Sequence, residues 1–422
     1  MGLLTLMLAP PSPLHGDCPL PSPQTGRTRE GPPASKGREK VGEPMGEGRW
    51  VKLEHAPTYT RWLVRFDSPQ PSGQPRNDRV WVEGYRPRSS EPVPVVLVLH
   101  SWRSRRGETG RRLCRALAQR GIAAFLVVLP YHLQRTPPGA KSGDLMISSD
   151  LARTRAAFMQ AVADVRATAT LLQRQPWVDG QRLGLVGLSL GAIIGSLVVE
   201  RDQRFRAVVL LFAGGDLGTL LWKSVILRPL RRRLQREGFT RAAIRVALRE
   251  VDPLTTASAG RPRHLLMING KYDWVMPREC VEALWRAWGK PELVWLNGGH
   301  YSALLHQGRL RKRIVNYLAA HLGIAPLEAA TRPSLRFPAF KFGALWSRRG
   351  GVRPAFTWEV GHLDRRGRWA VETGLAPGRA LAGLSADVLS VGDSGLADVG
   401  VGLAVSLRGH AEPYLSLNVH LF

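Results

Sequence analysis

Between about residues 60 and 322 the apolar positions fall into two kinds of segment that take turns along the chain. Short continuous apolar runs at 93–99, 122–129, 183–186, 206–212, 264–270 and 292–296 read as strands buried on both sides, since a strand with one wet face would alternate with polar residues. Segments 111–120, 151–174, 192–200 and 278–288 read as helices between them, and strand-like stretches at 62–66 and 80–85 lead in. Apolar strands separated by helices predict the α/β class: a mostly parallel sheet with helices on both faces.

Three regions depart from that rhythm. Residues 1–47 are rich in Pro, Gly, Ser and charge and read as a disordered leader, whose short apolar start lacks a basic flank and meets Pro10-Pro11 at once. Residues 216–259 are extra, mostly helical sequence of the kind that forms a lid. After about residue 325 the period becomes two: Val399, Val401, Leu403 and Val405 alternate with Gly400, Gly402, Ala404 and Ser406, and Leu415, Leu417, Val419 and Leu421 alternate with Ser416, Asn418 and His420. With earlier strands expected at 340–346, 356–360 and 369–375, the tail predicts a small antiparallel β-meander of five or six strands. The domain plan is therefore a leader at 1–47, an α/β domain at 48–325 with a helical insertion at 216–259, and a β region at 326–422. An alternating tail of this kind also suits an outer-membrane barrel, but such barrels need at least about eight strands. The expectation is a soluble accessory sheet that packs on the α/β domain or mediates self-association.

Composition changes this picture little. A length of 422 residues accommodates both structured regions, and no stretch approaches the roughly 20 apolar residues of a transmembrane helix. The net charge of +27 raises nucleic-acid binding. The arginines, however, scatter through every expected helix instead of forming one stripe with interleaved aromatics. The densest cluster, 228–236, has Leu230 and Leu234 at helical spacing and reads as a solvated amphipathic face. No nucleic-acid partner is expected. Cys18, Cys114 and Cys280 are spaced for neither a metal site nor a disulfide framework. The cytoplasm is the expected location, with export or outer-membrane association left open.

Candidate chemistry sits at strand ends. Gly187-Leu188-Ser189-Leu190-Gly191 lies between the apolar run 183–186 and the helix 192–200, the context of a nucleophile elbow in which a serine is held in a strained turn. A serine hydroxyl needs a base and an orienting acid. Asp273 follows the strand 264–270 on a glycine turn, and His300 sits in the loop Asn297-Gly298-Gly299-His300 after the strand 292–296. Asp216, after the strand 206–212, is an alternative acid that would otherwise cap the next helix. His264 and His306 lack a glycine loop and read as surface or core residues.

These three motifs, in the order Ser, Asp, His, resemble those of the α/β-hydrolase superfamily, in its esterase and dienelactone-hydrolase-like branch. The resemblance implies that Ser189 attacks a carbonyl carbon, His300 takes and returns the proton, and Asp273 fixes the imidazole tautomer. An oxyanion hole would use the backbone N–H of Leu190 and one from the loop after strand 93–99, where His100-Ser101 departs from the usual His-Gly and Trp102 is the expected donor. His100 itself reads as a residue that fixes this loop. The expected function is a serine hydrolase that cleaves a small-molecule carboxylic ester through an acyl-enzyme, without cofactor or metal. A peptidase, thioesterase or acyltransferase on the same triad, or an idle hydrolase-fold scaffold, remain alternatives. Selectivity is expected to reside in the insertion 216–259 and the loop 131–138.

Overall fold

Valine, leucine and alanine in unbroken succession make a strand that must be covered twice, and the sheet is arranged to do this. The structure is a computed structural model that describes residues 48–257, 262–301, 307–329, 340–347, 351–362, 369–377, 379–391, 394–406 and 411–421. The leader expected at 1–47, with Cys18, and His306 lie outside them. Nine strands form one sheet: β1 (Arg49–His55), β2 (Tyr59–Asp67), β3 (Arg79–Pro87), β4 (Val93–Leu99), β5 (Ala123–Val127), β6 (Val178–Leu188), β7 (Phe205–Leu211), β8 (His264–Gly270) and β9 (Glu292–Leu296), in the order β1-β2-β3-β5-β4-β6-β7-β8-β9. From β5 to β9 all pairings are parallel, and β1, β2 and β3 are joined antiparallel at one side.

Successive residues of the central strands feed two separate cores. Val95, Leu97 and Leu99 of β4 face one apolar cluster, and Val96 and Val98 face the other. The first cluster is completed by α2 (Leu151–Gln173), α3 (Leu190–Arg201), α4 (Leu217–Lys223), α5 (Arg228–Arg236), α6 (Arg241–Ala247) and α7 (Arg278–Ala287). The second is completed by α1 (Glu108–Gln119) and α8 (Gln307–His321). This is why the strands show no alternation. The arginine cluster lies on α5, with Leu234 buried and Arg232, Arg233 and Arg236 exposed. Cys114 and Cys280 are buried free thiols. His264 stacks on His321 with ring centroids 4.2 Å apart. Among the described residues no helix is long and apolar enough to cross a membrane.

The tail is antiparallel, as its alternation predicts, but it is longer-stranded and closed. β10 (Phe340–Ser347), β11 (Gly351–His362), β12 (Trp369–Ala376), β13 (Arg379–Val391), β14 (Ser394–Ser406) and β15 (Ala411–Leu421) pair in sequence, and β15 returns to β10. In that closing ladder Phe342 lies opposite Val419 and Trp346 opposite Leu415. The meander therefore becomes a six-stranded barrel, because a strongly twisted sheet of this width can satisfy its last two edges on each other. Leu345, Ala355, Ala376, Leu381 and Tyr414 form its small interior cluster.

Candidate active site

The order of the sheet reverses at its centre: β5 was added on one side of β4, and β6 on the other. A crevice opens at such a switch point, beyond the carboxyl ends of the strands. Ser189 stands there, directly after β6, with φ 54° and ψ −112°. Its N–H donates to the Leu211 carbonyl at 2.8 Å, which ties the turn to β7. The flanking glycines are required by space. A Cβ at Gly187 would lie 2.4 Å from the Gly191 carbonyl oxygen, and one at Gly191 would lie 2.3 Å from that of Leu99. Removing both side chains lets α3 start immediately after the serine, with the N–H groups of Ala192 and Ile193 donating to the Ser189 carbonyl.

Two loops deliver the partners. After β8, Asp273 turns back on its own loop, so that Oδ1 accepts from the N–H groups of Val275 and Met276, each at 2.8 Å. Its Oδ2 is left to His300 Nδ1, also at 2.8 Å. The loop after β9 is laced to the first, since Lys271 N–H donates to Leu296 and Tyr272 N–H to Gly298. His300 Nε2 lies 2.9 Å from Ser189 Oγ. A carboxylate only accepts, so Nδ1 carries the hydrogen and Nε2 presents a lone pair to the hydroxyl. The Asp273 side chain is 1% exposed and that of His300 10%, so this relay is shielded from water at its acid end and open at its serine end. The Phe212 ring, tilted with its centroid 4.5 Å from that of His300, supports the imidazole from the side.

Asp216 goes elsewhere. It caps α4 from a left-handed φ of 56°, accepting from Thr219 N–H at 3.1 Å and from Arg245 Nε and Nη2 at 3.0 and 2.6 Å. Partial burial opposes its ionisation, but the hydrogen bonds from Arg245 and Thr219 prevail and hold the carboxyl below its ordinary value. Its two oxygens are taken up by Thr219 and Arg245.

The loop after β4 is held by two buried histidines. His100 Nε2 accepts from Leu129 N–H at 3.1 Å while Nδ1 donates to the Ser101 carbonyl at 2.9 Å. His132 Nε2 accepts from Arg103 N–H at 3.2 Å, and its Nδ1 donates to the Pro130 carbonyl. Burial pushes His100 down to about 4 and His132 down to about 3, so both are neutral pillars of the loop. With Arg103 at φ 54° and Trp102 Nε1 bonded to the Gly143 carbonyl, residues 101–103 are fixed beside the serine. Leu190 is buried directly after Ser189, and Trp102 lines the same cavity as Ser189.

That cavity, about 330 Å³, is walled by Leu113 of α1, Leu188, Phe212, and Leu310 and Ile314 of α8, with Arg103, Arg112 and Arg311 among its polar lining. The expectation for selectivity therefore needs correction. Of the insertion 216–259 only Ile226 is among the described lining residues, and of the loop 131–138 none is. The loop is drawn inward instead: Arg135 is fully buried and pairs with Asp164 of α2 at 2.7 Å, while Asn77 accepts from Tyr131 N–H. Sequence reasoning missed Phe212 and the α8 wall. The only signal for α8 was its amphipathic spacing, and Phe212 gave none, because its positive φ of 59° is invisible in the sequence.

A model of the Dienelactone hydrolase family matches residues 82–239. Over 217 residues the chain is 30% identical to an uncharacterized protein of Mycobacterium tuberculosis, strain H37Rv, in an alignment covering 50% of this chain and 51% of that one. The chain thus spans about half the length of the curated relatives it matches. Among solved structures it is similar to the acetyl xylan esterase from Paenibacillus sp. R4, with a TM-score of 0.51 at 17% identity over 64% of this chain and 87% of that chain. It also aligns with acetyl xylan esterase 1 from Thermoanaerobacterium sp. JW/SL YS485, with a TM-score of 0.49 at 16% identity over 62% of this chain and 86% of that chain. The first of these likenesses, with the sheet order described above, shows the α/β-hydrolase fold.

Proposed function

We propose that this α/β-hydrolase chain is a serine hydrolase that cleaves a small-molecule carboxylic ester through an acyl-enzyme. One observation carries the reading: Ser189 Oγ, the His300 ring and the Asp273 carboxylate form an unbroken hydrogen-bonded line that ends in a largely apolar cavity. In the reaction, Ser189 Oγ bonds to the carbonyl carbon as its proton passes to His300 Nε2. The carbonyl oxygen gathers charge beside the N–H groups of Leu190 and Trp102, the proposed oxyanion donors. Collapse breaks the ester C–O bond, and the alcohol leaves with the proton from His300. Water then repeats the cycle on the acyl-serine, and His300 again takes and returns the proton. Asp273 holds the imidazole tautomer and offsets its transient positive charge. The leucines, Ile314 and Phe212 suit an apolar acyl or aryl group of modest size.

A fluorophosphonate probe should label the wild-type protein at Ser189, and Ser189→Ala should lose both the label and at least about 10⁴-fold of ester turnover. An adduct that persists in Ser189→Ala sinks the assignment. Aryl esters of rising chain length, compared with a thioester and an aminoacyl amide, then separate esterase from thioesterase and peptidase chemistry.

A further inference from the structure

The barrel β10–β15 wears its apolar side chains on the outside. One residue from each strand, Trp346, Val352, Leu375, Leu384, Val401 and Leu417, is between 39% and 72% exposed. Inside, Thr357 and Ser416 are buried at 0% and 1% exposure, beside Leu345, Ala355 and Tyr414. A barrel built for water has the opposite sense, with its apolar positions filling the interior.

Three features point to one kind of surrounding. The exposed apolar residues occur on all six strands, so they encircle the ring, whereas a docked protein would cover one side. Every strand is paired on both sides, so the ring has no free backbone edge, which is the condition hydrocarbon imposes on β-structure. Finally, the described exposed positions of these strands are apolar or glycine, and Arg353, the one charged residue there whose side chain is described, is half-buried between exposed Val352 and Pro354 and donates to the Pro377 carbonyl.

We propose that this barrel is a lipid-facing anchor, with acyl chains covering its outer wall. Six strands are fewer than the eight of the smallest single-chain bacterial barrels, and a ring this narrow is filled by its own side chains, so it holds the protein in a membrane without forming a channel. β11, β13, β14 and β15 have 12, 13, 13 and 11 residues, which reaches the roughly 9–11 of a spanning strand. β10 and β12, with 8 each, set the thinner sides of the band.

Flotation of the full chain with phosphatidylcholine vesicles tests this, at about 0.5 M salt so that the net positive charge is screened. The wild type should float. Leu403→Arg and Leu417→Arg should each cut the vesicle-bound fraction about tenfold or more, Leu403→Phe should retain it, and ester turnover in solution should be unchanged in all three. Since an arginine variant could fail to form the barrel, a second measurement uses the wild type: phosphatidylcholine brominated on its acyl chains should quench part of the tryptophan emission, and Trp346→Phe should reduce that part. A wild type that stays in the aqueous fraction and shows no quenching overturns the proposal. So does sedimentation as a discrete oligomer, with or without vesicles, that Leu403→Arg dissociates, since a second copy would then be the occupant.

Discussion

Asp273 divides its two oxygens between its own loop and His300, and this division gives the clearest single-residue prediction. An asparagine there would keep the loop bonds but aim an N–H at Nδ1, which moves the imidazole hydrogen to Nε2 and removes the lone pair from Ser189. Asp273→Asn should therefore lower kcat on the order of 10⁴-fold with KM little changed. Asp216→Asn should leave kcat within a few-fold and cost about 1–3 kcal/mol of stability, because it weakens a cap and the Arg245 pair. Steady-state aryl-ester kinetics beside denaturant melts would check both, and a kcat that collapsed in Asp216→Asn instead would exchange the two roles. Glycine turns after strands made Ser189, Asp273 and His300 legible as candidates. They favoured Asp273 and left Asp216 as the alternative, because both follow a strand. The choice depends on Arg245, which reaches Asp216 from another helix.

At the scale of elements, the helices and central strands were readable because burial on both faces leaves an uninterrupted apolar run. β6 proved longer than that run, Val178–Leu188, because buried Val178 pairs with Val93 ahead of a register shift that spans the mostly polar residues 179–182. The walls of the cavity were less readable, since amphipathic spacing says which face of α8 is covered but not that its end is shared with a crevice. The loop 131–138, expected to shape selectivity, misled for a related reason: polar sequence after a strand does not say which side chain turns inward. The Arg135 guanidinium is fully buried, donating to the Asn77 and Val128 carbonyls as well as to Asp164. Removing one partner of such a pair leaves an uncompensated charge, so Asp164→Ala should cost about 3–5 kcal/mol. It should also loosen His132 and, through Arg103 N–H, the loop beside the serine. Urea unfolding reads the first effect. A kcat that falls more than KM changes reads the second, and a stability unchanged within error would contradict the account.

For the whole molecule, buried ionisable groups set the pH range of stability. Burial pushes Glu200 up to about 8, against hydrogen bonds from Thr256 and Trp288, so the folded protein keeps a proton that the unfolded chain releases near 4.5. The stability from this group is complete below 4.5 and is lost as pH rises through about 8. His100 and His132 act in the other direction: held neutral at about 4 and about 3, they favour the folded state above 6.5 and lose that contribution as pH falls through those values. The melting temperature should peak near pH 6–7, and Glu200→Gln should flatten the alkaline side while leaving the acid side in place. Calorimetry across pH 4–9 would check this; an alkaline limb as steep in Glu200→Gln as in the wild type would remove Glu200 from the account. The tail shows where reading at this scale stops, since alternation of period two reveals that a strand has two unlike faces but not which of them looks inward. Its closure also has a consequence in time. Because β10 completes its pairing only with β15, the ring cannot shut before β15 has been made, and until then both β10 and β14 stay open to foreign strands. Synthesis interrupted before β15 would leave two sticky edges where the finished protein has none.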